Sequence, residues 1–113
     1  MDQMSYLHQN LRQIATFWNK TGKDSSGDPS FDPPKSIKVR WEDRTVVFTN
    51  IQGEEAASTS VVFVAEDMIA GDFLFLGTST TAAPTTVVGA KEVQGFVKTP
   101  ELVGSGFERR ALL

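Results

Sequence analysis

The chain has 113 residues, which suffices for one domain and leaves little room for a second. Its 40% hydrophobic and 22% charged residues are typical of a folded globular protein rather than a disordered one. Eleven Lys and Arg against fourteen Asp and Glu give a net charge of −3. This modest acidity argues against a protein that binds nucleic acid by neutralising phosphates.

The charge is unevenly distributed along the chain. Residues 45–90 contain no Lys or Arg. Their five acidic residues are Glu54, Glu55, Glu66, Asp67 and Asp72. The two flanks together carry eleven basic and nine acidic residues, so they are slightly basic around an acidic middle.

Cysteine is absent from the sequence, which excludes disulfides, thiolate metal sites and a cysteine nucleophile. The first residues lack the basic and apolar regions of a signal peptide, and no apolar run approaches the ~20 residues of a membrane span. We therefore expect a protein without a leader peptide and without membrane association.

The N-terminal segment has the periodicity of a short amphipathic helix. Leu7, Leu11 and Ile14 are spaced i, i+4 and i+7, and they form one apolar stripe among polar residues. The pattern becomes ambiguous at residues 15–18, which either extend this helix or form a β-branched and aromatic strand. We favour a helix over residues 1–13 and a strand over residues 14–20, because a Gly-, Pro-, Asp- and Ser-rich loop follows at 21–34.

Short strand patterns dominate the rest of the chain. Ile37, Val39 and Trp41 alternate with charged residues, which is the period-2 pattern of a half-buried strand. Further strands are predicted over residues 45–49, 58–64, 73–76 and 91–98, with turns at 43–44, 50–53 and 66–71 and a loop at 78–86. Five or six short strands without βαβ alternation predict a mainly β domain over residues 14–98, a small antiparallel β-barrel or sandwich.

Residues 99–113 are predicted to form an extended C-terminal arm. Gly104 and Gly106 make this segment flexible, whereas its end carries apolar side chains that a solvated tail does not need. We expect the arm to dock on a neighbouring subunit, with its two arginines pairing with acidic residues there. The candidate contact residues are Phe107, Arg109, Arg110, Leu112 and Leu113.

The sequence offers little support for catalysis, so we expect no enzyme activity, no metal site and no cofactor. His8 is the only histidine and lies on the polar side of the predicted helix, where it is expected to be an ordinary surface residue. No His or Cys spacing suits a metal ion. The acidic residues at 66–72 lack the ligand periodicity of a calcium loop.

A single-stranded nucleic-acid-binding barrel is a competing interpretation. Small five-stranded barrels often bind oligonucleotides. The candidates for base stacking are Trp18, Phe31, Trp41 and Phe48. Such a site also needs a basic groove, and the stretch without positive charge covers at least three predicted strands. We therefore expect these aromatic side chains to pack in the core.

Six stretches of the chain together resemble the sequences of a known protein family. They are residues 17–22 (FWNKTG), 27–31 (GDPSF), 34–42 (PKSIKVRWE), 58–64, 70–72 with the aromatic strand that follows, and 107–112 (FERRAL). In this order they resemble the small head–tail connector proteins of long-tailed bacteriophages, the head-closure or stopper family. The resemblance covers most of the chain from Ile14 onward and rests on order and spacing rather than on one diagnostic motif.

The resemblance implies a non-enzymatic β-barrel protein of the virion neck that needs no cofactor. Members of the family assemble as a homo-oligomeric ring below the portal and adaptor after DNA packaging. The ring retains the packaged DNA, lets it pass without sequence-specific binding, and offers a docking surface to the tail or its terminator protein. The expected location is the head–tail interface of the virion, and the host cytoplasm during assembly.

The resemblance also implies that flexible loops project into the channel and close it. Three connections qualify, at residues 22–34, 50–58 and 78–89. We favour the acidic one, because a channel that must release DNA is better lined with neutral or acidic groups than with lysines. Its candidate channel residues are Asn50, Gln52, Gly53, Glu54 and Glu55.

Two alternatives to the stopper interpretation stay open. The first is another neck or tail component, such as a tail-terminator-like or adaptor protein, of which an adaptor is expected to be helical. The second is the single-stranded nucleic-acid-binding barrel, which predicts tight and steeply salt-dependent binding to an oligonucleotide.

Overall fold

The computed structural model describes residues 11–100 and 107–113, the side chain of Phe107 excepted. These residues form eleven strands and one short 3-10 turn at Pro84–Thr86. The strands are β1 Gln13–Trp18, β2 Lys20–Lys23, β3 Pro29–Phe31, β4 Lys35–Glu42, β5 Val46–Thr49, β6 Glu55–Ser58, β7 Val61–Val64, β8 Phe73–Leu76, β9 Lys91–Glu92, β10 Gly95–Pro100 and β11 Phe107–Leu112. The mainly β prediction is confirmed.

Seven of the strands form one antiparallel sheet in the order β10-β11-β7-β4-β1-β8-β9. Its two edge strands, β9 and β10, follow one another in the chain and are separated only by Val93 and Gln94. The backbone N–H of Val93 donates to the carbonyl oxygen of Asp72 beside β8, and that of Gln94 donates to the carbonyl oxygen of Leu112 in β11. The sheet therefore curls into a half-barrel whose edges approach each other at these two residues.

The hydrophobic core fills the inside of the curl. Strand alternation directs one set of side chains from each long strand inward, and their burial is the main stabilising contribution. The buried cluster consists of Ala15, Phe17, Val39, Val62, Val64, Met68, Leu74, Val93, Ala111 and Leu113, with Ile37, Trp41 and Phe96 packed against it.

Strand β1 is buried on its outer side as well. Thr16 and Trp18 point away from the core, yet both are almost completely buried, because the loop that follows β8 covers them. The indole N–H of Trp18 donates to the carbonyl oxygen of Thr81 at 2.9 Å. The hydroxyl of Thr16 donates to the carbonyl oxygen of Gly77 and accepts the N–H of Ser79. The two side chains on the outer side of β1 are thus both hydrogen-bonded to the loop.

Two hairpins, β2–β3 and β5–β6, form separate two-stranded sheets outside the half-barrel. Each carries an aromatic side chain that contacts the half-barrel. Phe31 of β3 packs edge-on against Phe73 of β8, with ring centres 5.5 Å apart. Phe48 of β5 lies over Gly95, where a Cβ atom would come within 2.8 Å of the ring. The absence of a side chain at Gly95 therefore makes room for this hairpin.

Asp72 is a completely buried carboxylate at the junction of three segments. Its Oδ1 accepts hydrogen bonds from the N–H of Lys20 at 2.7 Å and the side-chain amide of Asn19 at 3.1 Å. Its Oδ2 accepts the N–H of Ile69 at 2.9 Å. One side chain thereby holds the start of β2 against the connection that leads into β8.

The predicted N-terminal helix over residues 1–13 is not supported. Residues 1–10 lie outside the described residues, and with them Leu7 and the surface prediction for His8. Leu11 and Arg12 have no regular structure, and Gln13 already begins β1. The physical reason is pairing on both sides, because β1 hydrogen-bonds to β4 and to β8.

The predicted extended arm over residues 99–113 is also wrong where the structure describes it. Strand β10 continues to Pro100, and β11 lies between β10 and β7 in the chain's own sheet. Ala111 and Leu113 belong to the core cluster. The apolar end of the chain is therefore buried against its own half-barrel, whereas residues 101–106 lie outside the described part.

The strand boundaries differ from the prediction at two further points. The predicted strand 58–64 is divided at Thr59 and Ser60, because β6 pairs with β5 whereas β7 pairs with β4 and β11. The predicted strand 91–98 is divided at Val93 and Gln94, where the chain changes partner from β8 to β11. The loop predicted over residues 21–34 contains most of the β2–β3 hairpin.

Candidate functional site

The predicted channel residues lie at the tip of the β5–β6 hairpin. The N–H of Asn50 donates to the carbonyl oxygen of Glu54 at 2.8 Å and closes the turn. The side-chain oxygen of Asn50 accepts the N–H groups of Gln52 and Glu54, both at 3.0 Å. Gly53 has a φ of +80°, which an L side chain rarely adopts. Asn50, Gln52, Gly53 and Glu54 therefore belong to one hydrogen-bonded turn of defined shape.

The hairpin presents both carboxylates and apolar groups to solvent. Glu54 and Glu55 are exposed, and neither forms an ion pair with another described residue. Ile51 at the tip is 81% exposed, and Val47 on β5 is 60% exposed. Charged and apolar side chains of the hairpin are therefore both accessible to another molecule.

The other acidic residues of the stretch without Lys or Arg are already engaged. Asp72 is buried and hydrogen-bonded. Glu66 forms an ion pair with Lys35 at 2.8 Å. Asp67 accepts a hydrogen bond from Nε of Arg109 at 2.7 Å. The free negative charge of this stretch is therefore concentrated at the hairpin tip.

Asp67 shows this engagement in its protonation behaviour. The hydrogen bond from Arg109 lowers the pKa of the Asp67 carboxyl against the opposing effect of desolvation, and Lys98, 3.4 Å from the same oxygen, lowers it further. The three side chains lie where β10 and β11 meet the connection after β7. Charges from the basic flanks thus neutralise part of the acidic middle.

The other two candidate channel loops are partly fixed by their own contacts. The loop at 78–89 is hydrogen-bonded to Trp18 through Thr81, and its Pro84 is buried, although Val88 is 94% exposed. The 22–34 connection contains the turn of the β2–β3 hairpin. In this turn, Asp24 Oδ1 accepts the N–H groups of Ser26 and Asp28.

A row of cationic and aromatic side chains crosses the outer side of β4, β7 and β11. Arg40 and Arg110 lie opposite Phe63 from the two sides. The guanidinium carbon of Arg40 is 4.3 Å from the centre of the Phe63 ring, within range of a cation–π interaction. Lys38 follows on the same side of β4 and is exposed. We call Lys38, Arg40, Phe63 and Arg110 the basic face.

Sequence reasoning missed the basic face. The alternation at residues 37–42 indicated which side chains of β4 point outward, but Phe63 lay in an apolar run and Arg110 in the predicted arm. Only the pairing register brings these residues beside Arg40.

The predicted subunit-contact residues divide between the two sides of β11. Arg109 turns toward Asp67, whereas Arg110 lies on the basic face with its Nε 3.3 Å from the Glu108 carboxylate. Leu112 and Leu113 are buried within the chain itself. Phe107 is described only as the first residue of β11.

The aromatic residues considered for base stacking are all engaged in packing. Trp18 is completely buried, and Trp41 packs against the core. Phe31 contacts Phe73, and Phe48 covers Gly95. None of the four forms an open stacking platform.

In residues 11–100 and 107–113, no three His, Cys, Asp or Glu side chains gather in a way that could hold a metal ion. Within the same part of the chain, no helix is sufficiently long and apolar to cross a membrane. A comparison with protein-family models finds no match, and a search of curated proteins finds none with significant similarity.

Proposed function

We propose that this chain is a structural protein of the phage neck, which assembles as a ring, retains packaged DNA and offers a docking surface to the tail. The observation that carries the proposal is the free negative charge of Glu54 and Glu55 at the tip of a hairpin outside the main sheet. The resemblance of the sequence to head-closure proteins supports the same assignment.

The hairpin suits a channel that alternates between holding and releasing DNA. Carboxylates repel phosphates, so a tip that carries them blocks the passage sterically without binding the DNA that later passes. Because β5 and β6 pair only with each other, the hairpin can move without breaking hydrogen bonds of the half-barrel ladder. The packing of Phe48 on Gly95 is the contact that such a movement must release.

The proposed partners follow from this role. The ring would bind the portal and adaptor complex on the head side and the tail or its terminator on the other side. The mainly β fold supports a stopper over a helical adaptor. A tail-terminator-like protein of the same neck remains the alternative.

The charge of the hairpin tip is tested by changing Glu54 and Glu55 together to Lys. We expect slower DNA release from filled heads, because two ammonium groups per subunit bind phosphates in the channel. The matched control changes both residues to Gln, which removes the charge without adding a cation and should leave release close to wild type. Unchanged release in the Lys variant contradicts the proposed channel position of the tip.

Ring formation is tested by native mass spectrometry of the chain mixed with a portal–adaptor complex. The proposal predicts a closed ring of several copies on that complex. A chain that instead binds an oligonucleotide tightly, with affinity falling steeply as salt rises, would support the nucleic-acid-binding alternative.

A further inference from the structure

The β5–β6 hairpin contacts the half-barrel with one side only. Residues that pair across an antiparallel ladder place their side chains on the same side, and alternate residues of a strand share a side as well. Four side chains on one side of the hairpin are buried or half-buried, whereas the four on the other side are exposed. The first set is Val46, Phe48, Ala56 and Ser58, and the second set is Val47, Thr49, Glu55 and Ala57. We call the first set the docking side.

The docking side has little apolar surface with which to hold the hairpin in place. Phe48 lies over Gly95, and it is half-buried like Val46 and Ala56. Ser58 is the only completely buried side chain of the set, and it is polar. Because hydrophobic stabilisation scales with the apolar area removed from water, the docked position of the hairpin is more weakly stabilised than the core of the half-barrel.

The hydroxyl group of Ser58 opposes docking. It is 0% exposed and has no hydrogen-bond partner among residues 11–100 and 107–113. A buried hydroxyl group without a partner loses the hydrogen bonds that water gives it, and this loss disfavours the state in which the group is buried. Since Ser58 belongs to the docking side, movement of the hairpin away from the half-barrel returns its hydroxyl group to water. Ser58 therefore makes the docked position less stable relative to an undocked one.

The base of the hairpin is held more firmly. The hydroxyl group of Ser60, which is also completely buried, donates to Oδ1 of Asp43 at 2.8 Å and accepts from Nζ of Lys91 at 3.3 Å. Asp43 follows β4 and Ser60 precedes β7, so their hydrogen bond joins the two segments from which the hairpin extends. The backbone N–H of Leu113 donates to the carbonyl oxygen of Ser60 at 3.0 Å. The hairpin is thus fixed at its base and weakly held along its docking side.

We propose that the β5–β6 hairpin pivots at its base between a docked and an undocked position, and that the unpartnered hydroxyl group of Ser58 keeps the two positions close in free energy. This inference rests on the proposed function, in which the same hairpin closes the channel. It adds the residue that sets how readily the hairpin moves. A two-position element of this kind shifts when another molecule contacts one position more favourably than the other.

Two buried serines, two positions apart, give a matched test. Ser58→Ala removes a hydroxyl group without a partner, so we expect the folding equilibrium constant of the full chain to rise about fivefold or more. Ser60→Ala makes the same chemical change but removes a hydroxyl group with two partners, so we expect that constant to fall about tenfold. Denaturant unfolding followed by circular dichroism measures both constants. A decrease or no change with Ser58→Ala overturns the proposal, and an increase with Ser60→Ala contradicts the fixed base.

Nuclear magnetic resonance locates the effect at the hairpin. One hydrogen on Cα of Gly95 points toward the Phe48 ring, because a Cβ atom in the same position would come within 2.8 Å of a ring carbon. The chemical shift of this hydrogen reports docking, and relaxation dispersion measures the population of the undocked position. We expect measurable exchange in the wild-type chain and an undocked population about fivefold or more smaller in Ser58→Ala. Val47→Ala, on the exposed side of the hairpin, should leave that population unchanged. Absence of exchange in the wild-type chain, or an equal decrease with Val47→Ala, overturns the proposal.

DNA release from filled heads separates this inference from the proposed function. A pivoting hairpin that closes the channel predicts a changed rate of release with Ser58→Ala, because the balance between its two positions is changed. If the undocked population falls and the release rate stays the same, the pivot stands and the channel role of the hairpin fails. If the wild-type chain shows no undocking and a ring still forms on a portal–adaptor complex, the pivot fails and the proposed ring-forming function stands.

Discussion

Two aspartates of this chain accept similar hydrogen bonds in opposite environments. Asp72 accepts the N–H groups of Lys20 and Ile69 in the interior, and Asp24 accepts those of Ser26 and Asp28 in an exposed turn. Water can replace the carboxylate only at the exposed site. The comparison therefore isolates the effect of burial on the same interaction.

We expect Asp72→Ala to lower the free energy of unfolding by about 3 kcal/mol, because it leaves buried N–H groups without an acceptor. Denaturant unfolding followed by circular dichroism measures the change. Asp24→Ala is the control, and it should lower the free energy by about 1 kcal/mol or less, since solvent reaches its donors. Equal effects of the two substitutions would refute the structural role of Asp72.

At the scale of elements, the position of β11 determines whether the end of the chain is an arm or part of the fold. β11 lies between β10 and β7, and it pairs with β10 along its length and with β7 over Arg109–Leu112. Removing it would break two rows of hydrogen bonds and expose the core residues that Ala111, Leu112 and Leu113 cover. A detachable arm would leave the rest of the sheet intact.

We therefore expect deletion of residues 107–113 to abolish cooperative unfolding and to remove the β signal in circular dichroism. The control replaces residues 50–53 by Asn-Gly, which shortens an exposed hairpin turn of a favourable type. This variant should unfold cooperatively, with a free energy of unfolding within about 1 kcal/mol of wild type. A deletion variant that retains a cooperative transition would restore the arm interpretation.

The elements that the sequence predicted correctly are those specified by local pattern. The alternation of Ile37, Val39 and Trp41 with charged residues predicted β4, and the Asn50–Gly53 pattern predicted the turn between β5 and β6. The breaks at Thr59 and Val93 were not predictable, because they occur where a strand changes partner. Such changes depend on segments distant in sequence. The same reason explains why β11 was mistaken for an arm.

In the candidate site, too, features set by neighbouring residues were predictable, whereas features set by strand pairing were not. The acidic hairpin tip was predictable, because its charge and turn residues are consecutive in the chain. The engagement of Asp67 by Arg109 was not, because the two residues are 42 positions apart and meet only through the sheet. The sequence alone therefore suggested more unpaired negative charge in residues 45–90 than the structure shows.

At the scale of the whole molecule, the net charge of −3 conceals surfaces of opposite sign on one small half-barrel. Acidic tips lie on the two hairpins, and the basic face lies on the outer side of the sheet. We propose that these surfaces of opposite sign attract a second copy of the chain rather than a polyanion. This arrangement favours self-assembly over nucleic-acid binding as the role of its charges.

These two roles predict different responses to salt. We expect self-association of the full chain, measured by sedimentation velocity, to weaken steadily between 50 mM and roughly 500 mM NaCl, because salt screens the attraction between oppositely charged surfaces of neighbouring copies. A labelled oligonucleotide should remain unbound in fluorescence anisotropy even at the lowest salt, because the two arginines of the basic face are already paired with Glu42 and Glu108. Lys38→Glu should weaken this self-association by removing an attractive charge from the basic face, and Lys38→Gln, which removes the charge without reversing it, should have a smaller effect. Salt-insensitive association together with salt-sensitive oligonucleotide binding would assign the charges to nucleic acid instead.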